Sequence, residues 1–335
     1  MGSINGDLRC ANASQLTGLS GDQLATITGV FDLEVIQILS SLNFPNLKGI
    51  NGINWIALPA LQALNFKTGV SAANNVYISN TGLTDLSGIE LTQVGTMNVN
   101  NNQYLSTINV NSLTNVTNAL AFAANGQNLA IQFPNLLGAA NLTFRNVTSI
   151  SMPSLANVAG AMGFYSNAFQ SFAAPNLTTT GGTIAFVDSS QLSNVSFPSL
   201  TAVGGGIQLA NNTKLMSVDG FNSLKSIAGD INFYGTFNSV SFSSLTDVKG
   251  AANVYTSSQN TSICSTFQTA KNNQVIKGKL TCQTNSALPS TNGSSTTSSS
   301  GSSKSSSAAA SNLIGYDANA PLTGFAAVVA AMLML

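Results

Sequence analysis

With no histidine in 335 residues, any acid–base chemistry in this chain falls on its 11 aspartates and glutamates. A polysaccharide-cleaving site needs two carboxylates within reach of one sugar, and a calcium site needs several clustered oxygens. The late acids are Asp188, Asp219, Asp230 and Asp247, and none lies one repeat from another in register. Asp188 and Asp230, 42 residues apart, are near two repeats, so they can share a face but not adjacent turns. Turn capping and solvation are the roles these acids fit. Nucleophile–histidine triads and histidine-based metal sites are excluded by composition, and no residue pattern calls for a cofactor.

Ring-on-sugar stacking is a second available chemistry. Tyr234 and Tyr255 are 21 residues apart, about one repeat, so outward rings on neighbouring turns would form a stacked pair for a glucan or chitin strand. Tyr255, Trp55 and Tyr77 fit inward, core positions equally well. Nucleic acid is excluded as a partner, because 11 Lys and Arg balanced by 11 acids give no basic stripe to displace counterions.

Other side chains invite covalent modification. Asn-X-Ser/Thr sequons occur at Asn12, Asn115, Asn141, Asn146, Asn176, Asn194, Asn211, Asn260 and Asn292. Glycans there would supply the hydration that a chain with only 7% charged residues lacks. Asn115, Asn141, Asn176 and Asn194, followed by Asn12 and Asn260, are the candidates for N-glycosylation. Asn146 and Asn211 fall on the repeat's own asparagine position, expected to turn inward, and rank below them. Cys264 and Cys282 flank the end of the repeats and fit a disulfide across an 18-residue separation, which leaves Cys10 without a partner.

The C-terminus carries a targeting pattern. Residues 285–311 are Ser/Thr-rich and nearly uncharged, a stalk that cannot bury a core and suits O-glycosylation. Small residues at 307–311, a spacer of about nine residues and an apolar end of 15 residues from Pro321 then follow. That end is too short to span a bilayer of about 30 Å, and no basic residue follows it. The combination matches a glycosylphosphatidylinositol (GPI) signal, with Ser307, Ala308, Ala309 and Ala310 as attachment candidates. At the other end Met1-Gly-Ser-Ile-Asn-Gly-Asp-Leu-Arg-Cys10 has no secretory signal, and Gly6 stands where myristoylation wants Ser or Thr. A start lacking the signal peptide and a first repeat with the partner of Cys10 would explain both ends. A buried free thiol at Cys10 is the alternative.

What must position these residues is a repeat. Aligned on an asparagine or its replacement, copies fall at Asn80, Asn101, Asn125, Asn146, Asn167, Ser189, Asn211, Gly235 and Ser257, at intervals of 21 to 24 residues. A buried-type residue is read two positions before each: Ile78, Val99, Ala123, Phe144, Tyr165, Val187, Leu209, Phe233 and Tyr255. A second marker keeps step, as in Phe133-Pro-Asn-Leu136, Met152-Pro-Ser-Leu155, Ala174-Pro-Asn-Leu177 and Phe197-Pro-Ser-Leu200. Two markers sharing one period define a solenoid. Segments such as Gly206-Ile-Gln-Leu-Ala210 alternate at period two, so the expectation is strands with little helix. The fold class expected is all-β, a right-handed parallel β-solenoid of about 22-residue repeats. About eleven turns at roughly 4.8 Å make a rod on the order of 50 Å long. The expected organisation is a solenoid over 1–262, a disulfide-closed cap over 263–284, the stalk over 285–311 and a removable GPI signal over 312–335.

Several stretches carry a family resemblance: Asn54-Trp-Ile-Ala-Leu-Pro-Ala-Leu61, Asn141-Leu-Thr-Phe-Arg-Asn-Val-Thr148, Ala174-Pro-Asn-Leu177 with Gly181-Gly and Ala185-Phe-Val187, and Gly204-Gly-Gly-Ile-Gln-Leu-Ala-Asn-Asn-Thr-Lys-Leu215. Over about residues 4–283, and on into the stalk and tail, the chain resembles the fungal GPI-anchored cell-wall organisation proteins, relatives of the sporulation-specific Sps2 proteins with receptor-L-domain-like repeats. The resemblance implies a non-enzymatic surface glycoprotein held to the plasma membrane by its GPI lipid, serving wall integrity and morphogenesis. It also implies an N-terminal signal and an upstream cysteine that this sequence does not show. A wall-polysaccharide-binding module is the alternative, and a β-helix hydrolase or lyase a further one.

Overall fold

Val, Ile, Phe and Thr at alternate positions, broken every few residues by Gly, Asn or Pro-Ser, favour short strands that end in corners. In the computed structural model, which describes residues 2–287, those strands coil into about eleven turns of parallel β-solenoid. The stalk beyond residue 287, the sequon at Asn292 and the attachment candidates Ser307, Ala308, Ala309 and Ala310 lie outside the described residues. A main sheet of 19 strands runs along the coil, and smaller sheets such as Thr107–Asn109, Ala130–Gln132 and Ser149–Ser151 line another side. Every strand pairing is parallel, and each residue sits beside its equivalent one repeat away, as Phe144 does beside Phe164 and Phe164 beside Phe186.

The core is a set of columns. One inward column of the main sheet reads Leu33, Trp55, Ile78, Val99, Phe122, Phe144, Phe164, Phe186, Leu209, Phe233 and Val254, all buried and all in register. Its phenylalanines stack nearly parallel, with Phe122–Phe144, Phe144–Phe164 and Phe164–Phe186 centroids 6.0, 5.6 and 4.5 Å apart. The Pro-Ser/Asn-Leu marker builds a facing column. Its leucines (Leu136, Leu155, Leu177, Leu200, Leu224) are fully buried, and Asn135, Ser154, Asn176 and Ser223, each just before one of them, bridge turns. Asn176 Nδ2 donates to the Pro153 carbonyl, and Ser154 Oγ donates to that of Pro134. Glycines just before the strands Ile184–Val187 and Ile231–Gly235 let backbones touch: a Cβ at Gly182 would lie 2.7 Å from the Gly160 carbonyl carbon, and one at Gly229 2.8 Å from that of Gly205.

The asparagine marker divides into two columns, which corrects the single alignment made on sequence. A corner residue takes the left-handed conformation, at φ 52 to 57°, in Asn12, Val35, Ala57, Asn80, Asn101, Ala124, Asn146, Ser166, Asp188 and Asn211. The residue after it turns inward, giving the buried series Thr81, Asn102, Asn125, Asn167, Ser189 and Asn212. The corner geometry swings its own side chain out, so Asn146 is exposed and Asn211 half-buried, contrary to the expected inward turn. The same one-residue slip moves Ala123, Tyr165, Val187 and Tyr255 from the assigned inward position to the outer face of the sheet.

Each buried asparagine ties its turn to the previous one. Asn125 Oδ1 accepts the Asn102 N–H at 3.1 Å while its Nδ2 donates to the Val99 carbonyl at 2.9 Å. Asn167 does the same with Val147 N–H and Phe144 carbonyl, and Asn212 with Ser189 N–H and Phe186 carbonyl. These amides satisfy backbone groups that the corner removes from the sheet ladder.

At the C-terminal end the helix Ser262–Asn272 packs Ile263 and Phe267 against the last turn. Strand Leu280–Gln283 extends the main sheet beside Ala252–Thr256. Cys264 and Cys282 are joined, with their Cα atoms 5.5 Å apart, and Lys271 Nζ donates to the carbonyls of Ile276, Lys277 and Gly278. Cys10 is a free thiol in strand Leu8–Ala11, partly buried beside Leu33.

Three stability outcomes follow from this geometry. Asn167→Ala strands a buried N–H and a buried carbonyl, so it should cost about 3 kcal/mol in denaturant unfolding. The exposed corner change Asn146→Ala should cost less than about 1 kcal/mol, since alanines already occupy that corner at positions 57 and 124. Equal losses would mean that the two asparagine columns are not distinct. Replacing Cys264 and Cys282 by Ser should lower stability by about 3 kcal/mol, from the 18-residue separation that they close.

Candidate functional site

The four late acids do not converge. Asp188 is an exposed corner residue whose Oδ1 accepts from Asn211 Nδ2. Asp230 lies at the opposite end of the strand line, where its Oδ1 accepts the Ala251 N–H. Asp219 accepts from the Ser217 hydroxyl, and Asp247 sits in its own short strand beside Ser226. Since Asp188 follows strand Ile184–Val187 and Asp230 precedes Ile231–Gly235, a strand length and two turns separate them.

The acids that the fold does gather are early ones, which sequence reasoning passed over. Asp32 and Glu34 are two apart on strand Thr26–Glu34 and so share its outer face. Arg9 Nε lies 3.0 Å from Asp32 and its Nη2 3.4 Å from Glu34, while Asn54 Nδ2 donates to both carboxylates. Burial, with Glu34 and Asp7 nearby, raises the Asp32 pKa against the lowering effect of Asn54 and Arg9. The readable signal was the period-two Asp-x-Glu spacing opposite Asn54, one repeat on. Both carboxylates already carry a cation and an amide, an arrangement that braces neighbouring turns. Among the described residues no group of three His, Cys, Asp or Glu side chains is placed to hold a metal ion.

The aromatic candidates do assemble. On the outer face of the main sheet one column runs Arg145, Tyr165, Val187, Ala210, Tyr234 and Tyr255 in strict register. Tyr234 and Tyr255 stand with ring centroids 5.5 Å apart and planes tilted by 32°. Tyr165 and Tyr234 pack against the buried Ala185, Val187 and Ala210. The Tyr165 ring folds back over Gly163, where a Cβ would meet its Cε2 at 2.5 Å, and the Arg145 guanidinium lies 5.2 Å from its centroid. In the next column Asn253 Nδ2 donates to Asn232 Oδ1 at 3.0 Å, beside the two rings. Burial raises the pKa of both Tyr165 and Tyr234. Tyr255 and Asp230 reinforce this at Tyr234, and Arg145 opposes it at Tyr165. Of the other aromatics, Trp55 is buried core and Tyr77 lies on the outer face between Asn54 and Asn98.

The sequons differ in how committed their amides are. Asn12, Asn176, Asn194 and Asn260 are exposed, and Asn115 and Asn141 half-exposed. Asn141 uses both ends of its amide, with Nδ2 on the Asn118 carbonyl and Oδ1 on the Ala161 N–H. Asn260 opens the terminal helix by accepting from Ser262 N–H and Oγ.

Comparison with known proteins places this rod in a lineage. The chain is 46% identical over 288 residues to a cell surface GPI-anchored protein of Arthroderma benhamiae, covering 86% of this chain and 73% of that one. It is 40% identical over 330 residues to the protein ecm33 of Aspergillus fumigatus, covering 98% and 82%. This chain belongs to the fungal Ecm33/Sps2 family. A further Ecm33/Sps2 relative, the cell wall protein ecm33 of Schizosaccharomyces pombe, is 32% identical over 87% of this chain and 68% of its own. No family model matches the chain, and no solved structure matches it.

The raised phenol pKa values give a measurable sign. A phenol whose pKa is higher folded than unfolded contributes stability that is complete below its ordinary value of about 10 and is lost as pH rises through the folded value. Spectrophotometric titration should show a late-ionising fraction that shrinks in Tyr165→Phe and again in Tyr234→Phe, with stability falling above about pH 10. Titration unchanged by either substitution would contradict the packed outer column.

Proposed function

We propose that this chain is a non-enzymatic, GPI-anchored surface glycoprotein that serves the organisation and integrity of the fungal cell wall and its morphogenesis. The observation that carries this reading is the 40% identity to the Aspergillus fumigatus ecm33 protein across 98% of the chain, since that span includes the rod, the Ser/Thr-rich stretch and the apolar end together. The relatives are named as surface and wall proteins rather than enzymes, and the acids gathered on the rod serve as braces between turns.

In this reading the chain divides into rod (1–262), cap (263–284), stalk (285–311) and a cleaved anchor signal (312–335). The lipid is added at one of Ser307, Ala308, Ala309 or Ala310. Glycans occupy Asn12, Asn115, Asn141, Asn176, Asn194 and Asn260, and the protein is displayed at the outer face of the plasma membrane and in the wall. A chain with only 7% charged residues needs such hydration to stay soluble. The partner is the membrane, through the lipid, with wall glucan as the candidate ligand of the rod.

Phosphatidylinositol-specific phospholipase C should release the protein from membranes, or glucanase should release it from walls, and the released C-terminus should end within 307–310. A mature protein that retains Leu335 would overturn the anchor. Gene deletion should raise sensitivity to wall-stress dyes. Rescue by a secreted rod alone would assign the role to the rod, whereas rescue that requires the tail would assign it to anchoring.

A further inference from the structure

We infer that the outer face of the main sheet, at the turns bearing Tyr234 and Tyr255, is a binding site for an extended, neutral glucan strand lying along the rod axis. The argument starts from what the two rings do not do. They stand on the face opposite the inward column, so the hydrophobic core closes without them. Tyr234 leans back along its own strand with its hydroxyl 3.5 Å from Asn232 Oδ1. It rests on a floor of small side chains that includes Ala210 and Val187. A ring lying on such a floor turns a face toward solvent. Tyr255 stands beside it one turn on, 5.5 Å away.

The chemistry of the surroundings selects the ligand. The outer column from Tyr165 to Tyr255 has no formal charge, and its neighbour supplies the amides of Asn232 and Asn253. Flat apolar faces flanked by uncharged donors and acceptors complement a pyranose ring, which offers C–H bonds on its faces and hydroxyls at its rim. An anionic polymer would find no counter-charge at these turns, since the column's one cation, Arg145, lies at its far end over Tyr165. A peptide has no route by strand addition, because strands Ile231–Gly235 and Ala252–Thr256 are paired on both sides within the sheet. The sites repeat once per turn, at roughly 4.8 Å, so the matching ligand is a linear polymer that presents successive residues to successive turns.

The inference takes from the wall reading only the source of the glucan, and its test does not depend on the anchor. Isothermal titration of the purified glycoprotein with soluble laminarin, a β-1,3-linked glucan, should give saturable binding. Tyr234→Ala with Tyr255→Ala should weaken it by about tenfold or more, the size expected when aromatic anchors are truncated. Tyr234→Phe, which keeps the ring, should bind within about threefold of the parent. Tyr104→Ala, at a tyrosine 58% exposed on another part of the rod, should bind as the parent does. If the double variant loses its cooperative melt, Tyr255→Ala alone should still weaken binding several-fold. Absence of laminarin binding by the parent, or undiminished binding by the folded double variant or by Tyr255→Ala, would overturn the site and leave the wall and anchor results untouched.

Discussion

The whole molecule depends on parallel, in-register stacking, which sets every side chain beside its own equivalent one turn away at roughly 4.8 Å. Like therefore sits on like, and each residue type must tolerate its own company. Charges do not: a column of carboxylates or ammoniums would repel along the length of the rod. That is the physical reason for a chain with 7% charged residues. Where two acids do stand close, as Asp32 and Glu34 on one strand, Arg9 from the turn before and Asn54 from the turn after flank them instead of a repeated charge.

The residues that gain from their own company fill the remaining columns. Phenylalanine stacks on phenylalanine through four successive turns, from Phe122 to Phe186. Asparagine can both donate and accept, so one buried amide hands its carbonyl to the turn behind and its N–H₂ to that turn's backbone. Serine substitutes at Ser189, whose hydroxyl accepts the Asn167 N–H and keeps the chain of bonds intact. A thin core can then be cooperative along its length, because each turn contacts only its neighbours yet shares hydrogen bonds with both.

Much of this was legible in the sequence. The period, the strand class and the Pro-Ser-Leu corner follow from spacing and turn chemistry, and the Cys264–Cys282 link from the position of two thiols at the end of the repeats. The two asparagine columns were not separable by the same means. Corner and buried asparagines are adjacent, as in Asn101–Asn102 and Asn211–Asn212, and the intervals of 21 to 24 residues hide a slip of one. A one-residue slip reverses the facing of every side chain in a strand, so Tyr165, Val187 and Tyr255 were assigned to the wrong face together. The asparagine doublets were the available clue, since two amides side by side are redundant unless one turns out and the other in.

Like-on-like stacking also decides which surface features mean something. Neutrality along the outer columns is what the architecture demands, so it limits which ligand would fit and is not itself the evidence that one binds. Small residues at Val187 and Ala210 are equally accounted for, as a floor for neighbouring rings. Aromatic rings in that outer column are a different matter. No backbone group needs them, the inward column is complete without them, and asparagine, threonine or glutamine would satisfy the register at lower cost in exposed apolar area, as Asn98 and Gln208 do within the neighbouring outer column. What the stacking rule leaves unexplained in that column is Tyr165 and, on consecutive turns, the pair Tyr234 and Tyr255. A feature that the scaffold permits but does not require is where a ligand has room to have shaped the residue choice.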